Sequence, residues 1–100
     1  VTISCTDNPA RDNTTFIITH DRIGSTLDII VEVYDMSGRK LWSHEETGTS
    51  PSGPYTISWN LTGDNGAHLQ TGVYLYRVKL TSDSATRTTK AKKLIVIGNK

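Results

Sequence analysis

Trp59-Asn60-Leu61-Thr62-Gly63-Asp64-Asn65-Gly66-Ala67-His68-Leu69-Gln70-Thr71-Gly72-Val73-Tyr74-Leu75-Tyr76-Arg77-Val78-Lys79-Leu80 holds the end of one strand, a polar connection and a long second strand. Asp64-Asn65-Gly66 is a turn signal, because Asn and Gly accept positive φ at low steric cost. From Gly72 onward the side chains alternate. Tyr74, Tyr76, Val78 and Leu80 share one face; Val73, Leu75, Arg77 and Lys79 share the other. Extended chain with period two, rather than 3.6, sets the expectation of a small β domain.

The rest of the chain fits that expectation. Val1 to Cys5 reads as a short strand, stopped by Asp7-Asn8-Pro9, since proline donates no hydrogen bond. Thr14 to His20 is β-branched, with Phe16 and Ile18 inward. Leu27 to Met36 is the clearest strand, with Leu27, Ile29, Val31 and Val33 on one face and Asp28, Ile30, Glu32 and Tyr34 on the other. Asp35-Met36-Ser37-Gly38 closes a hairpin, and Arg39 to Glu45 returns with Leu41 in the core. Gly48 to Pro54 is a connection between sheets, after which Tyr55, Ile57 and Trp59 alternate inward. Ser82-Asp83-Ser84 turns the chain, and Arg87 to Ile97 is the last strand. Seven strands with turn signals between them predict an all-β fold: a seven-stranded antiparallel immunoglobulin-like β-sandwich, with a small barrel as the alternative.

At 100 residues the chain makes one domain, 1–100, with a single core. A net charge of +1 gives no long-range field to steer nucleic acid or an anionic membrane. The basic residues lean towards the end of the chain (Arg87, Lys90, Lys92, Lys93, Lys100) and read as a solvated strand face. One cysteine, Cys5, excludes an internal disulfide and a Cys-based zinc site. No run approaches the roughly 18 apolar residues that span a bilayer as a helix. The chain opens on Val1 without a signal peptide, so it reads as a domain excised from a longer protein, with any targeting segment outside it.

No reactive constellation is visible. His20, His44 and His68 have no second ligand type at metal spacing, and His20 and Asp21 point to opposite faces of a strand. Asp64-Asn65-Gly66 has the start of a calcium loop but lacks its later acidic ligand. No Gly-rich phosphate cradle exists. The reading is therefore non-enzymatic, with no metal and no cofactor. The other expected feature is an apolar patch: Ile30, Tyr34, Trp42, Val73 and Leu75 fall opposite the inferred core and are expected to dock a neighbouring domain or protein.

Several segments together resemble one family. Asn8-Pro9-Ala10 with Thr14-Thr15-Phe16-Ile17 resembles its Asn-Pro opening. Val33-Tyr34-Asp35-Met36-Ser37-Gly38-Arg39 resembles its hairpin, and Trp59-Asn60 with Asp64-Asn65-Gly66 resembles its Trp-Asp-Gly turn, with Asn60 where aspartate is usual. Thr71-Gly72-Val73-Tyr74-Leu75-Tyr76-Arg77 and Lys92-Lys93-Leu94-Ile95-Val96 resemble its last two strands. These are marks of FlgD-like immunoglobulin domains and of the C-terminal domains of type IX secretion proteins in Bacteroidetes. The likeness is nearest to the domain that ends PorU-type, gingipain-related sortases, through Thr19-His20-Asp21-Arg22 and Asp35 to Trp42.

The resemblance implies a parent cysteine peptidase whose catalytic residues lie in a preceding domain. This chain is then a tail exported to the outer membrane or cell surface of a Gram-negative Bacteroidetes bacterium. Its implied partner is an outer-membrane secretion or anchoring protein, or the adjacent peptidase domain. Gly72, Tyr74, Lys92 and Lys93 mark the implied recognition region. Asp83-Ser84-Ala85 resembles the Bacteroidetes O-glycosylation triplet. Two alternatives stand beside this: a generic immunoglobulin-like spacer, and a carbohydrate-binding module with Trp42 and Tyr34 as its stacking platform.

Overall fold

The computed structural model describes residues 1–97; Lys100, counted above with the basic residues, lies outside them. Among the described residues there are eight strands and no helix: β1 (Thr2–Cys5), β2 (Thr14–Thr19), β3 (Thr26–Tyr34), β4 (Lys40–Thr49), β5 (Tyr55–Trp59), β6 (Gly72–Ser82), β7 (Ala85–Thr88) and β8 (Lys92–Val96). They form two sheets, β1-β2-β5 and β4-β3-β6, with β7 and β8 both on the far side of β6. Every strand pair is antiparallel. The two sheets share no ladder, so the arrangement is sandwich-like rather than a closed barrel.

Alternation fills the space between the layers. Ile3, Phe16, Ile18 and Ile57 from the small sheet meet Leu27, Ile29, Val31, Val33, Val78, Leu80, Leu94 and Val96 from the large one, all buried. Each such side chain contributes about 1.5–3 kcal/mol when fully buried. The inward residues of the hydrophobic strands are those the alternation predicts.

Two β-bulges shift that alternation. Between Val33 and Tyr34 the β3–β4 register slips, because Val33 faces Trp42 while Tyr34 faces Lys40, leaving Leu41 as the extra residue. Trp42 therefore turns into the space between the sheets instead of lying on the outer face with Tyr34. The second bulge divides the expected last strand in two. Lys79 pairs with Thr88 but Tyr76 pairs with Lys92, so three residues of one strand oppose two of β6. Thr89 covers the gap: its amide donates to Val78 O at 3.0 Å and its hydroxyl accepts from Val78 N at 3.1 Å. Without that extra residue Leu94 and Val96 would face outward; with it both are fully buried.

The connections follow local chemistry. Gly38 has φ 92° in the β3–β4 turn, where Asp35 Oδ1 accepts from the Ser37 amide, the Ser37 hydroxyl and the Arg39 amide. Residues 50–54 carry the chain from the large sheet to the small one, as the Gly/Pro-rich composition suggests. Asp83 and Ser84 both adopt positive φ (52° and 65°), the backbone of a two-residue type I′ turn, on an exposed tip. Segment 8–10, which contains the cis Asn8–Pro9 bond, lies against the outer edge of β8. Asn8 Nδ2 donates to Lys93 O and Asn8 Oδ1 accepts from Ile95 N, each at 2.9 Å. Ala10 N donates to Ile95 O and Ile97 N to Ala10 O, each at 2.8 Å. The edge of β8 is thus already paired.

Candidate functional site

Three of the family-like motifs, the Asp35–Arg39 turn, the Asp64–Gly66 turn and the start of the Gly72–Arg77 strand, meet at one end of the sandwich. Gly63 to Ala67 forms the expected turn: Gly66 N donates to Gly63 O at 2.9 Å, Gly63 N to Ala67 O at 3.0 Å and Ala67 N to Asn65 Oδ1 at 3.0 Å. Leu61, buried and held at φ 61°, starts this loop, and Leu69 N closes it on Leu61 O at 2.9 Å. The loop docks on the bulge, where Asp64 N donates to Leu41 O at 2.9 Å. Between the Asp35–Lys40 turn, this loop and Tyr74 lies an open cleft of about 640 Å³.

The cleft is polar and mixed in charge. Arg39 pairs with Asp35 at 3.4 Å. The Ser37 hydroxyl, with the Arg39 and Ser37 amides and the Arg39 charge, holds the Asp35 carboxyl below its ordinary range. Tyr74 donates to Gln70 O at 2.7 Å, and burial pushes its phenol up. His68 Nδ1 lies 2.7 Å from Leu69 O, so it is the protonated nitrogen. These groups are engaged with the backbone or with each other.

The second surface is the outer face of the large sheet. Register places Tyr34 beside Leu75, Val73 beside Ile95, Glu32 beside Arg77 and Ile30 beside Lys79. Four of the five expected patch residues, Ile30, Tyr34, Val73 and Leu75, therefore share this face. Trp42 does not join them, because the Leu41 bulge turns it inward, where it stacks on Trp59 with centroids 4.4 Å apart. Tyr34 and Trp42 lie on opposite faces of one sheet and cannot form a single stacking platform.

An ion cluster crosses the middle of the outer face. Arg77 Nε binds Glu32 Oε1 at 2.8 Å, and Arg77 also donates to Tyr34 Oη at 3.1 Å, its guanidinium carbon 5.3 Å from the ring centroid. Lys40 Nζ approaches Glu32 Oε2 at 3.9 Å. Burial works against the Glu32 charge, but bonds from Arg77 and Tyr34 and the charges of Arg77 and Lys40 together hold its carboxyl below the ordinary range. Sequence reading passed over this cluster. Its signal was present, since Glu32 and Arg77 sit on the same outward stripes as Tyr34 and Leu75.

The four residues of the implied recognition region are spread out. Gly72 and Tyr74 lie towards the cleft end of β6, whereas Lys93 pairs with Leu75 on the outer face and Lys92 pairs with inward Tyr76. Both lysines are exposed. The histidines are also apart: His20 follows β2, His44 is in β4 and His68 is in the cleft loop. Among the described residues no group of three His, Cys, Asp or Glu side chains could hold a metal ion. Cys5 is half-buried; burial pushes its thiol up, and bonds with Tyr76 and Thr14 partly offset this. No helix among the described residues is long and apolar enough to cross a membrane.

Fold and surfaces define an all-β, two-sheet domain with a polar cleft at one end and a mixed apolar and charged outer face. Solved structures give it relatives. Over 97% of its length the chain is similar to part of PorU from Porphyromonas gingivalis, solved as a dimeric latent protein, with 37% sequence identity and a TM-score of 0.86. Over 95% of its length its fold matches part of PorZ, an essential bacterial surface component of the type IX secretion system of the same organism, with 24% identity and a TM-score of 0.58. The chain spans 9% of that PorU chain and 11% of that PorZ chain. No protein-family model matches the sequence, and no curated protein does.

Proposed function

We propose that this chain is a non-catalytic, immunoglobulin-like C-terminal domain of a PorU-type component of the type IX secretion system. In this reading it serves outer-membrane secretion and anchoring through partner recognition. β7 and β8 are then two halves of one immunoglobulin strand, interrupted by the Thr89 bulge. The observation that carries the reading is the PorU likeness: 37% identity over 97% of the chain, at a TM-score of 0.86. That likeness supports a secretion-related role at or beyond the outer membrane. The domain's contribution is surface. The cleft end presents Gly72 and Tyr74 to a secretion or anchoring protein, and Ile30, Tyr34, Val73 and Leu75 offer the apolar stripe for an adjacent peptidase domain. Lys93 edges that stripe, and the Asn8 clasp leaves β8 no free edge for strand addition.

The test is deletion of residues 1–100 from the parent protein in a bacterium with a working type IX system. Surface accessibility to added protease and processing of secreted cargo are read together. The expected result is a parent retained in the periplasm, with cargo left unprocessed. Unchanged surface display and processing would overturn the reading and leave a spacer.

A further inference from the structure

Three buried polar atoms have no protein partner among the described residues: His20 Nε2, Ser50 Oγ and Ser82 Oγ. They belong to the end of the sandwich opposite the cleft. His20 follows β2, Ser50 follows β4 and Ser82 closes β6. Each continues an inward stripe: Phe16, Ile18, His20 in one layer; Glu46, Gly48, Ser50 and Val78, Leu80, Ser82 in the other. Both serines are only 3% exposed.

One loop, residues 21–25, is tied to all three segments. Arg22 N donates to His20 Nδ1 at 3.0 Å. Gly24 N donates to Ser50 O at 2.9 Å. The Arg22 guanidinium lies 3.5 Å from Asp21 and 3.9 Å from Asp83, the residue after Ser82. The carboxylates of that trio are largely exposed, so its charge sits on the solvent side of the loop.

The Arg22 amide also decides where the His20 proton is. Nδ1 accepts, so in the neutral ring Nε2 carries the hydrogen and points a donor into the core. A metal would need a lone pair there. The two serine hydroxyls can each donate and accept. One N–H and two O–H groups call for a small neutral molecule that accepts from nitrogen and exchanges bonds with hydroxyls; buried water typically makes about three such bonds. We propose that this end of the core is an internal hydration site, in which ordered water beneath the 21–25 loop links the His20 Nε2–H to the hydroxyls of Ser50 and Ser82.

Nuclear magnetic resonance on the ¹⁵N-labelled chain at neutral pH tests this. Long-range ¹H–¹⁵N correlation should show His20 as the Nε2–H tautomer, with that proton slow enough in exchange to be seen. It should give a cross-peak to water with the sign of a long-lived bound molecule. The Ser50→Ala, Ser82→Ala double variant should lose that cross-peak, and its Nε2–H should exchange at least several-fold faster. An Nδ1–H tautomer, or a wild-type Nε2–H with no water cross-peak, would overturn the proposal, and that measurement holds even if the double variant does not fold. A folded double variant with unchanged exchange would overturn it equally.

Discussion

Trp42 of the large sheet stacks on Trp59 of the small one, centroids 4.4 Å apart and planes inclined by 20°. Phe16 lies 5.8 Å from Trp59 and 6.1 Å from Trp42, and the His44 ring runs parallel to Trp42 at 5.7 Å. Trp59 Nε1 donates to Thr62 O at 2.9 Å, which fixes its ring against the loop leading to the cleft. The pair closes the open side between edge strands β4 and β5. Trp42→Ala should therefore act on stability, lowering it by about 3 kcal/mol. Urea unfolding reads this directly. A variant as stable as the parent would mean that Trp42 spends its area at an external surface after all.

Two carboxylates tie stability to pH in one direction. Bonds and charges from Arg77, Tyr34 and Lys40 outweigh burial to hold Glu32 low, and the Tyr55 hydroxyl does the same for Glu46, with His44 adding to it. The same Glu46 bond, with burial, raises the Tyr55 phenol. Both glutamates stay ionised in the folded chain at pH values where the unfolded chain takes up protons. Their contribution is complete above the ordinary glutamate value of 4.5 and drains away as pH falls through the depressed folded values. The urea midpoint should fall steeply between about pH 5 and about pH 3, and a Glu32→Gln, Glu46→Gln double variant should show a shallower fall. Equal slopes in parent and variant would locate the acid sensitivity elsewhere.

Much of the fold was legible because two-residue periodicity is a strong signal where one face is buried. Leu27–Val33, Phe16–Ile18 and Tyr76–Leu80 faced as alternation required. What escaped was a single residue in each of two places. A bulge adds one residue to one strand, and a period-two reading carried across it assigns every later side chain to the wrong face. Leu41 did this to Trp42, and the 89–91 segment splits in two the single last strand expected over Arg87 to Ile97. Nothing local announces either bulge: Leu41 is an ordinary strand residue, and Thr89 matters only because its hydroxyl meets Val78 from another strand. The cleft was half legible. Its turns were plain from Asp35–Gly38 and Asp64–Gly66, but their meeting depends on the Asp64–Leu41 bond, which long-range pairing alone decides.

Asn8 behaves as one link of a strand. Its amide makes both bonds a backbone neighbour would make to β8, one to Lys93 O and one from Ile95 N. Asn8→Ala removes both at an edge with some access to water, so a loss of about 1–2 kcal/mol is expected. Hydrogen exchange separates this from a general weakening. The Ile95 and Ile97 amides should lose protection first, while the central amides of β3 keep theirs down to the global limit. Uniform loss across all strands would mean that segment 8–10 does not act as a local clasp.

Gly48 and Gly38 are both turn-type residues by composition, yet the structure uses them for different reasons. A Cβ on Gly48 would stand 2.7 Å from Tyr55 Oη and 3.2 Å from its Cε2, so the ring must move. That ring holds the Glu46 bond across the two sheets. Gly48→Ala should cost about 1–3 kcal/mol as overpacking and should also return the Glu46 carboxyl towards its ordinary range, visible as an upward shift in its ¹³C titration. Gly38 has open space around its missing Cβ but φ 92°, so Gly38→Ala should cost about 1–2 kcal/mol through backbone strain alone. The Glu46 titration should not move in that variant. If both substitutions left Glu46 unchanged, Tyr55 would not be the group that sets its charge, and the short contact at Gly48 would have no electrostatic consequence.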